Sequence, residues 1–116
     1  MHALIYLSLC LNIAVLVPVC LSILMRADWT TTAYGPDTPA RGILLAIYFA
    51  ILVCSAGLLF KPIPAMVVTL LMVQVVYKVM TPFTVGRITN PVVVCNLAIA
   101  VVHSFTLWAI WKAIGL

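Results

Sequence analysis

Charge is what this sequence has least of. Only 7% of its 116 residues are charged, and Asp28 and Asp37 are the only acids, whereas a soluble domain carries about 25% charged residues. Hydrophobic residues make up 66% of the chain, and a small soluble fold cannot bury so much apolar surface. The composition therefore predicts a protein that is surrounded by lipid.

Basic clusters, cysteine pairs and metal motifs are also missing. The net charge of +4 comes from six Lys and Arg residues spread along the chain. Nucleic-acid binding needs a clustered basic face, so no nucleic-acid partner is predicted. Cys10, Cys20, Cys54 and Cys95 form no C-x-x-C pair, and we interpret them as small buried apolar side chains. No nucleophile–base arrangement, phosphate loop or metal cluster is present, so no catalytic residue and no metal are predicted, and an enzyme is not favoured.

Four apolar runs are long enough to cross a bilayer, which takes about 20 residues of helix. They lie near residues 3–25, 40–60, 64–83 and 91–114. Backbone groups cannot stay unpaired in hydrocarbon, so the runs must be helices. The first run is longer than the apolar part of a signal peptide, and we interpret it as a retained helix. The predicted fold is an all-α membrane protein: one domain, 1–116, built as an antiparallel up-down-up-down bundle of four transmembrane helices.

The connections between the runs carry turn signals. The sequence "KPIP" at residues 61–64 predicts a tight hairpin, because its prolines would break a continuous helix. Asn90 followed by Pro91 predicts a helix N-cap and first turn. An even number of spans places both termini on one side, and the distribution of Lys and Arg favours external termini. We expect an integral protein of a bacterial inner membrane.

Each apolar run carries one stripe of polar residues at helical spacing, which a bundle would turn inward. The stripes are Ser8 and Asn12; Arg41, Tyr48 and Ser55; Gln74, Lys78 and Thr81; Asn96 and His103. In one interpretation these residues join the helices by hydrogen bonds, while Arg41 and Lys78 reach the lipid headgroups. In the other, five residues bind a lipid or quinone headgroup in a small polar cavity: Arg41, Tyr48, Gln74, Lys78 and His103. His103 lacks a good partner for haem ligation, so no cofactor is predicted beyond a bound quinone or lipid.

The second run has an arginine at its start and Ala-x-Tyr and Ala-Gly positions within it, and the third run has a basic residue near its end. These residues are Arg41, Ala46, Tyr48, Ala56, Gly57 and Lys78. The pattern resembles the DoxX-like group of small four-helix membrane proteins. Members of that group are linked to membrane redox systems, often as small subunits beside oxidases or quinone-reducing enzymes. The resemblance implies a similar accessory role, with Arg41 and Lys78 as the positions to test.

Three functional hypotheses follow. The first is a small accessory subunit that packs within a larger membrane complex, redox or energy-transducing, because almost no chain lies outside the apolar runs. The second is a lipid- or quinone-binding membrane protein or enzyme that uses the inward polar stripes. The third is an oligomeric transporter or channel, which the small residues Ala98, Ala100 and Ser104 would allow to pack closely. The expected partners are membrane lipids and larger membrane-protein subunits.

Overall fold

The computed structural model describes residues 2–114, and within that range the chain forms five α-helices and no strand. They are α1 (His2–Leu24), α2 (Asp28–Tyr34), α3 (Pro39–Phe60), α4 (Pro64–Val85) and α5 (Pro91–Ile114). All but α2 are long and apolar enough to cross a membrane. Their 22 to 24 residues give lengths of about 33 to 36 Å, against about 30 Å of hydrocarbon. The prediction of four such helices is confirmed.

Helix α2 was not predicted, since it lies in the polar stretch between the first two apolar runs. It has only seven residues, begins with an acid, Asp28, and is followed by Gly35 at its C-cap. An acid in the first turn suits the positive end of the helix dipole. Gly35 has a φ of 93°, which favours glycine, and its N–H donates to the carbonyl of Thr31. A helix this short is marginal alone and depends on tertiary contacts.

The predicted turns lie where the long helices end. α3 stops at Phe60 and α4 begins at Pro64, so "KPIP" forms the expected connection. Asn90 caps α5, because its Oδ1 accepts a hydrogen bond from the backbone N–H of Val92 at 2.9 Å. α4 continues through Pro82 to Val85, two residues beyond the predicted end. It ends there because Gly86, in the left-handed conformation, donates its N–H to the carbonyl of Pro82.

The packing is centred on α1, which contacts both α3 and α5, while α4 packs mainly against α5. α3 and α4 touch only loosely. The core has two apolar clusters, one of Ile5, Leu9, Leu58, Val67, Leu71 and Ile110 and one of Leu16, Cys20, Ile23, Tyr48 and Ile51. Between Leu9 and Leu16, α1 buries Asn12. Polar side chains thus occupy the junction between the two clusters.

The outer surface of the bundle is apolar. Leu7, Phe49 and Phe105 are more than half exposed, and contiguous apolar surface is typical of contact with lipid or with other proteins. The cysteines differ from the expectation of buried side chains. Only Cys20 is buried, whereas the other three are exposed on the apolar surface. A small apolar thiol is as well suited to an apolar exterior as to the core.

Candidate functional site

The polar stripes do turn inward, as predicted. Among residues 2–114, eleven polar or amphipathic side chains are buried: Ser8, Asn12, Thr30, Arg41, Tyr48, Ser55, Gln74, Lys78, Asn96, His103 and Thr106. The stripes are incomplete at their edges, since Thr81 is only partly buried and Ser104 is exposed. A polar group buried in an apolar bundle needs a hydrogen-bond partner inside the bundle. Such partners are found on the neighbouring helices, on α2 or within the same helix.

A hydrogen-bonded chain of His103, Asn12 and Ser55 joins three helices. Asn12 on α1 donates from Nδ2 to the Ser55 hydroxyl of α3 at 3.0 Å, and its Oδ1 lies 2.9 Å from Nε2 of His103 on α5. Because Oδ1 can only accept, His103 donates from Nε2. In the neutral ring Nδ1 is then the unprotonated nitrogen, and it has no hydrogen-bond partner. One turn away, the hydroxyls of Ser8 and Thr106 lie 2.7 Å apart. These contacts match the interhelical interpretation of the stripes.

Arg41 is engaged by α2 and does not reach outward. It is 3% exposed, and its Nη1 donates to the Gly35 carbonyl at 3.0 Å and to the hydroxyls of Thr30 and Thr31 at 3.3 Å. Its Nη2 lies 3.7 Å from the carboxylate of Asp37. The headgroup-seeking position expected for Arg41 is therefore wrong. The carbonyl and hydroxyls at the end of α2 bind the guanidinium instead, and Arg41 clamps α2 onto α3.

Lys78 is also buried, at 5% exposure, so its expected reach to the headgroups is wrong as well. Its Nζ donates to Oε1 of Gln74 one turn back, at 3.0 Å, and lies 5.7 Å from the centre of the Tyr77 ring. The cause is the length of α4, which continues for two further turns to Val85. Lys78 is thereby held inside the bundle and not at its end.

Two adjoining cavities lie at the α2 end of the bundle. The inner cavity, of about 20 Å³, is lined by Asn12, Val15, Leu16, Val19, Tyr34, Tyr48, Tyr77, Lys78, Asn96 and Ile99. The outer pocket, of about 440 Å³, is formed by α2, the first half of α3, the end of α4 and the start of α5. Tyr34, Tyr48 and Asn96 line both. The two cavities therefore share part of their walls, and Lys78 lines the inner one.

α2 forms one wall of this pocket. Its last residue, Tyr34, packs edge-on against Tyr48 with ring centres 5.9 Å apart. Burial, and then the neighbouring Tyr48, raise the pKa of the Tyr34 phenol above its ordinary value, so the hydroxyl stays protonated and can donate. Asn90 donates from Nδ2 to the carbonyl of Ala33 at 3.0 Å. The Asn90 side chain therefore both caps α5 and holds α2 in place.

The five predicted site residues have different positions relative to the cavities. Tyr48 and Lys78 line the inner cavity. Gln74 and His103 do not line it. Gln74 is hydrogen-bonded to the lining residue Lys78, and His103 is hydrogen-bonded to the lining residue Asn12. Arg41 borders neither cavity and belongs to the α2 clamp. The structure thus brings two of the five to one cavity and connects two more to it.

Several wall residues were not among the predicted site residues. Tyr34 and Arg87 lie outside the apolar runs, where helical spacing gives no information. Tyr77 and Asn96 lie within them: Tyr77 adjoins Lys78 in the sequence, and Asn96 is already one of the stripe residues. The spacing of seven residues from His103 predicts an inward position for Asn96, but Asn96 is not included among the five proposed ligand-binding residues. No sequence signal identifies Tyr34, because its place depends on the unpredicted α2.

The described part of the chain defines an all-helical protein with four helices suited to membrane spanning. Among residues 2–114, no group of three or more His, Cys, Asp or Glu side chains could hold a metal ion. Comparison with known proteins gives no match to a family model, to a curated protein or to a solved structure. Similarity to the DoxX-like group stays a hypothesis.

Proposed function

We propose that this protein is an integral membrane protein that binds the headgroup of a lipid or quinone in the outer pocket, with the inner cavity at its base. The observation that carries the proposal is the pocket of about 440 Å³ at the α2 end of the bundle, whose wall combines apolar and polar side chains. Binding sites are commonly concave and mainly apolar, with a few converging polar groups. Tyr34, Tyr48 and Asn96 supply such groups here.

The proposal includes four membrane spans in up-down-up-down order. Two contacts support this order: Ser8 pairs with Thr106, and Asn12 pairs with His103. Residue numbers along α5 decrease as those along α1 increase, so the two helices run antiparallel. The apolar exterior favours insertion into a bilayer. The protein should accordingly remain with membranes after carbonate extraction, and release into the soluble fraction would contradict the proposal.

Bound ligand is the direct test. The protein is purified in a mild neutral detergent, and its lipids and quinones are quantified by mass spectrometry against the surrounding membrane. The expected result is enrichment of one class, which is lost in Asn96→Leu because that change removes an amide from both cavities. Ser104→Ala is the matched control, since Ser104 is exposed and bonds only to its own helix. Equal lipid content in all three proteins would refute the proposal.

A second candidate function is an accessory subunit of a larger membrane complex, in redox or energy transduction. It is favoured by the loose packing of α3 against α4, which leaves an apolar groove of about 790 Å³ lined in part by Gly57 and Met66. A Cβ added at Gly57 meets nothing within 4 Å, so Gly57→Leu adds a side chain that projects into the groove. Native electrophoresis should show a complex that Gly57→Leu disrupts and that the control Gly42→Leu, at another open glycine, preserves. A protein that always migrates alone would contradict this function.

A further inference from the structure

Lys78 is a buried cation without an acidic partner among the described residues. Its ammonium group donates to one neutral amide, Gln74, and an ammonium group can donate three hydrogen bonds. The sequence has only two acids. Asp37 already pairs with Arg26 at 2.6 Å and lies near Arg41. Within residues 2–114, neither Asp28 nor Lys78 takes part in a salt bridge.

An isolated ammonium group in an apolar interior is costly, and a buried cation normally has an anion or several hydrogen bonds as partners. Here Lys78 lines the inner cavity, so a further partner for its remaining donors would have to lie there. The cavity, at about 20 Å³, can hold one water-sized atom. A ligand can therefore present a single oxygen to Lys78, but not a bulky group.

The other polar residues around that space reinforce the preference for an anion. Tyr48 and Tyr77 can each donate a hydroxyl, and Asn96 carries an amide on α5, whereas the Asn12 amide is already bonded to Ser55 and His103. Arg87 lines the outer pocket that adjoins it. Neither cavity has an Asp or Glu in its wall. The site thus offers two cations and several donors with no built-in negative charge.

We infer that the ligand carries an anionic oxygen, of the carboxylate or phosphate kind, which enters the inner cavity and binds Lys78 while the rest of the headgroup occupies the outer pocket near Arg87. This inference rests on the proposed function and narrows its ligand to anionic amphiphiles. A neutral quinone or alcohol would leave the ammonium group without its counter-charge. A free anion shares the binding chemistry but lacks the apolar tail, and the experiment separates the two sources.

The test measures the melting temperature of the full-length protein in a neutral detergent while three probes are titrated. The probes are a medium-chain fatty acid, the fatty alcohol of the same chain length, and acetate. The fatty acid should bind about tenfold or more tightly than the alcohol, since hydrogen bonds to charged groups are the stronger ones. Lys78→Met should abolish this difference. Lys112→Met is the control, because Lys112 is exposed on α5 and interacts with Trp108.

The outcomes separate the inference from the proposed function. Equal binding of acid and alcohol, both weakened by Asn96→Leu, would leave the pocket as a ligand site and overturn the anionic preference. Acetate that binds as well as the fatty acid, in a manner dependent on Lys78, would support the anionic site and contradict an amphipathic ligand. Absence of binding by every probe, or an acid preference that persists in Lys78→Met, overturns the inference. Should Lys78→Met fail to fold, Tyr48→Phe removes one hydroxyl from the cavity and should reduce the preference.

Discussion

Replacement of Asn12 by leucine should destabilise the bundle, because Asn12 joins α1 to both α3 and α5. The leucine side chain has a similar volume, so the main loss is the pair of hydrogen bonds to Ser55 and His103, at 3.0 and 2.9 Å. Hydrogen bonds between helices in membrane proteins contribute about 0.6 to 2 kcal/mol each. The free energy of unfolding should therefore fall by about 1 to 4 kcal/mol in Asn12→Leu.

A double-mutant cycle isolates the bond between α1 and α5. His103→Leu is made alone and together with Asn12→Leu, and the coupling energy is the part of the two losses that does not add. One hydrogen bond joins the two side chains, so a coupling energy of about 0.6 to 2 kcal/mol is expected. His103 has no other side-chain bond, since its Nδ1 lacks a partner, which makes the cycle simple to interpret.

Reversible unfolding in mixed detergent micelles, followed by circular dichroism, supplies the free energies. The control is Ser104→Ala on the same helix as His103. Ser104 is exposed and donates only to the Ala100 carbonyl of its own helix, at 2.7 Å, so its loss should change stability by no more than about 0.5 kcal/mol. A coupling energy of zero between Asn12 and His103 would refute the assignment of these residues to a polar chain across the helices.

The remaining predictions concern α2 and the topology. Arg41→Met should cost about 1.5 to 3 kcal/mol, as a buried charged donor is lost, and should raise hydrogen exchange in residues 28–34; unchanged exchange would contradict the clamp. Asn90→Ser keeps an N-cap for α5 but loses the bond to Ala33. It should therefore raise exchange in α2 alone, and loss of α5 helicity would count against this separation of roles. Thr32→Cys and Lys61→Cys, in a cysteine-free background, should react with an impermeant maleimide from opposite sides of the membrane; labelling from one side would exclude the proposed topology.

The four long helices could be predicted because their signals are local. Length and hydropathy are properties of each segment, and Asn90–Pro91 encodes a helix start by its own chemistry. α2 has no such signal. Its seven residues include no apolar periodicity, and its position depends on Arg41, which is ten residues or more from the threonines it binds. A tertiary contact of that kind cannot be derived from the sequence of α2.

In the candidate site, too, the sequence predicts which side chains face inward but not which residues they pair with. Helical spacing predicts that Gln74 and Lys78 share an inward face, and the bond between them agrees. Spacing within one helix says nothing about which side chains of another helix lie opposite. The partnership of Asn12 with His103, 91 residues apart, and the wall formed by Tyr34 both depend on how the helices are placed.

Arg41 and Lys78 are equivalent in the sequence, since each is a cation at one end of an apolar run, yet their surroundings give them opposite roles. Arg41 donates three hydrogen bonds within the chain, to the Gly35 carbonyl and two threonine hydroxyls, and pairs with nearby Asp37, although its buried Nε has no partner. Lys78 has one neutral amide and faces a cavity. A compensated buried charge stabilises structure, whereas an uncompensated one beside open space favours a ligand of opposite charge. Loss of Arg41 should therefore loosen α2 whether or not ligand is present, while loss of Lys78 should act chiefly on the choice of ligand.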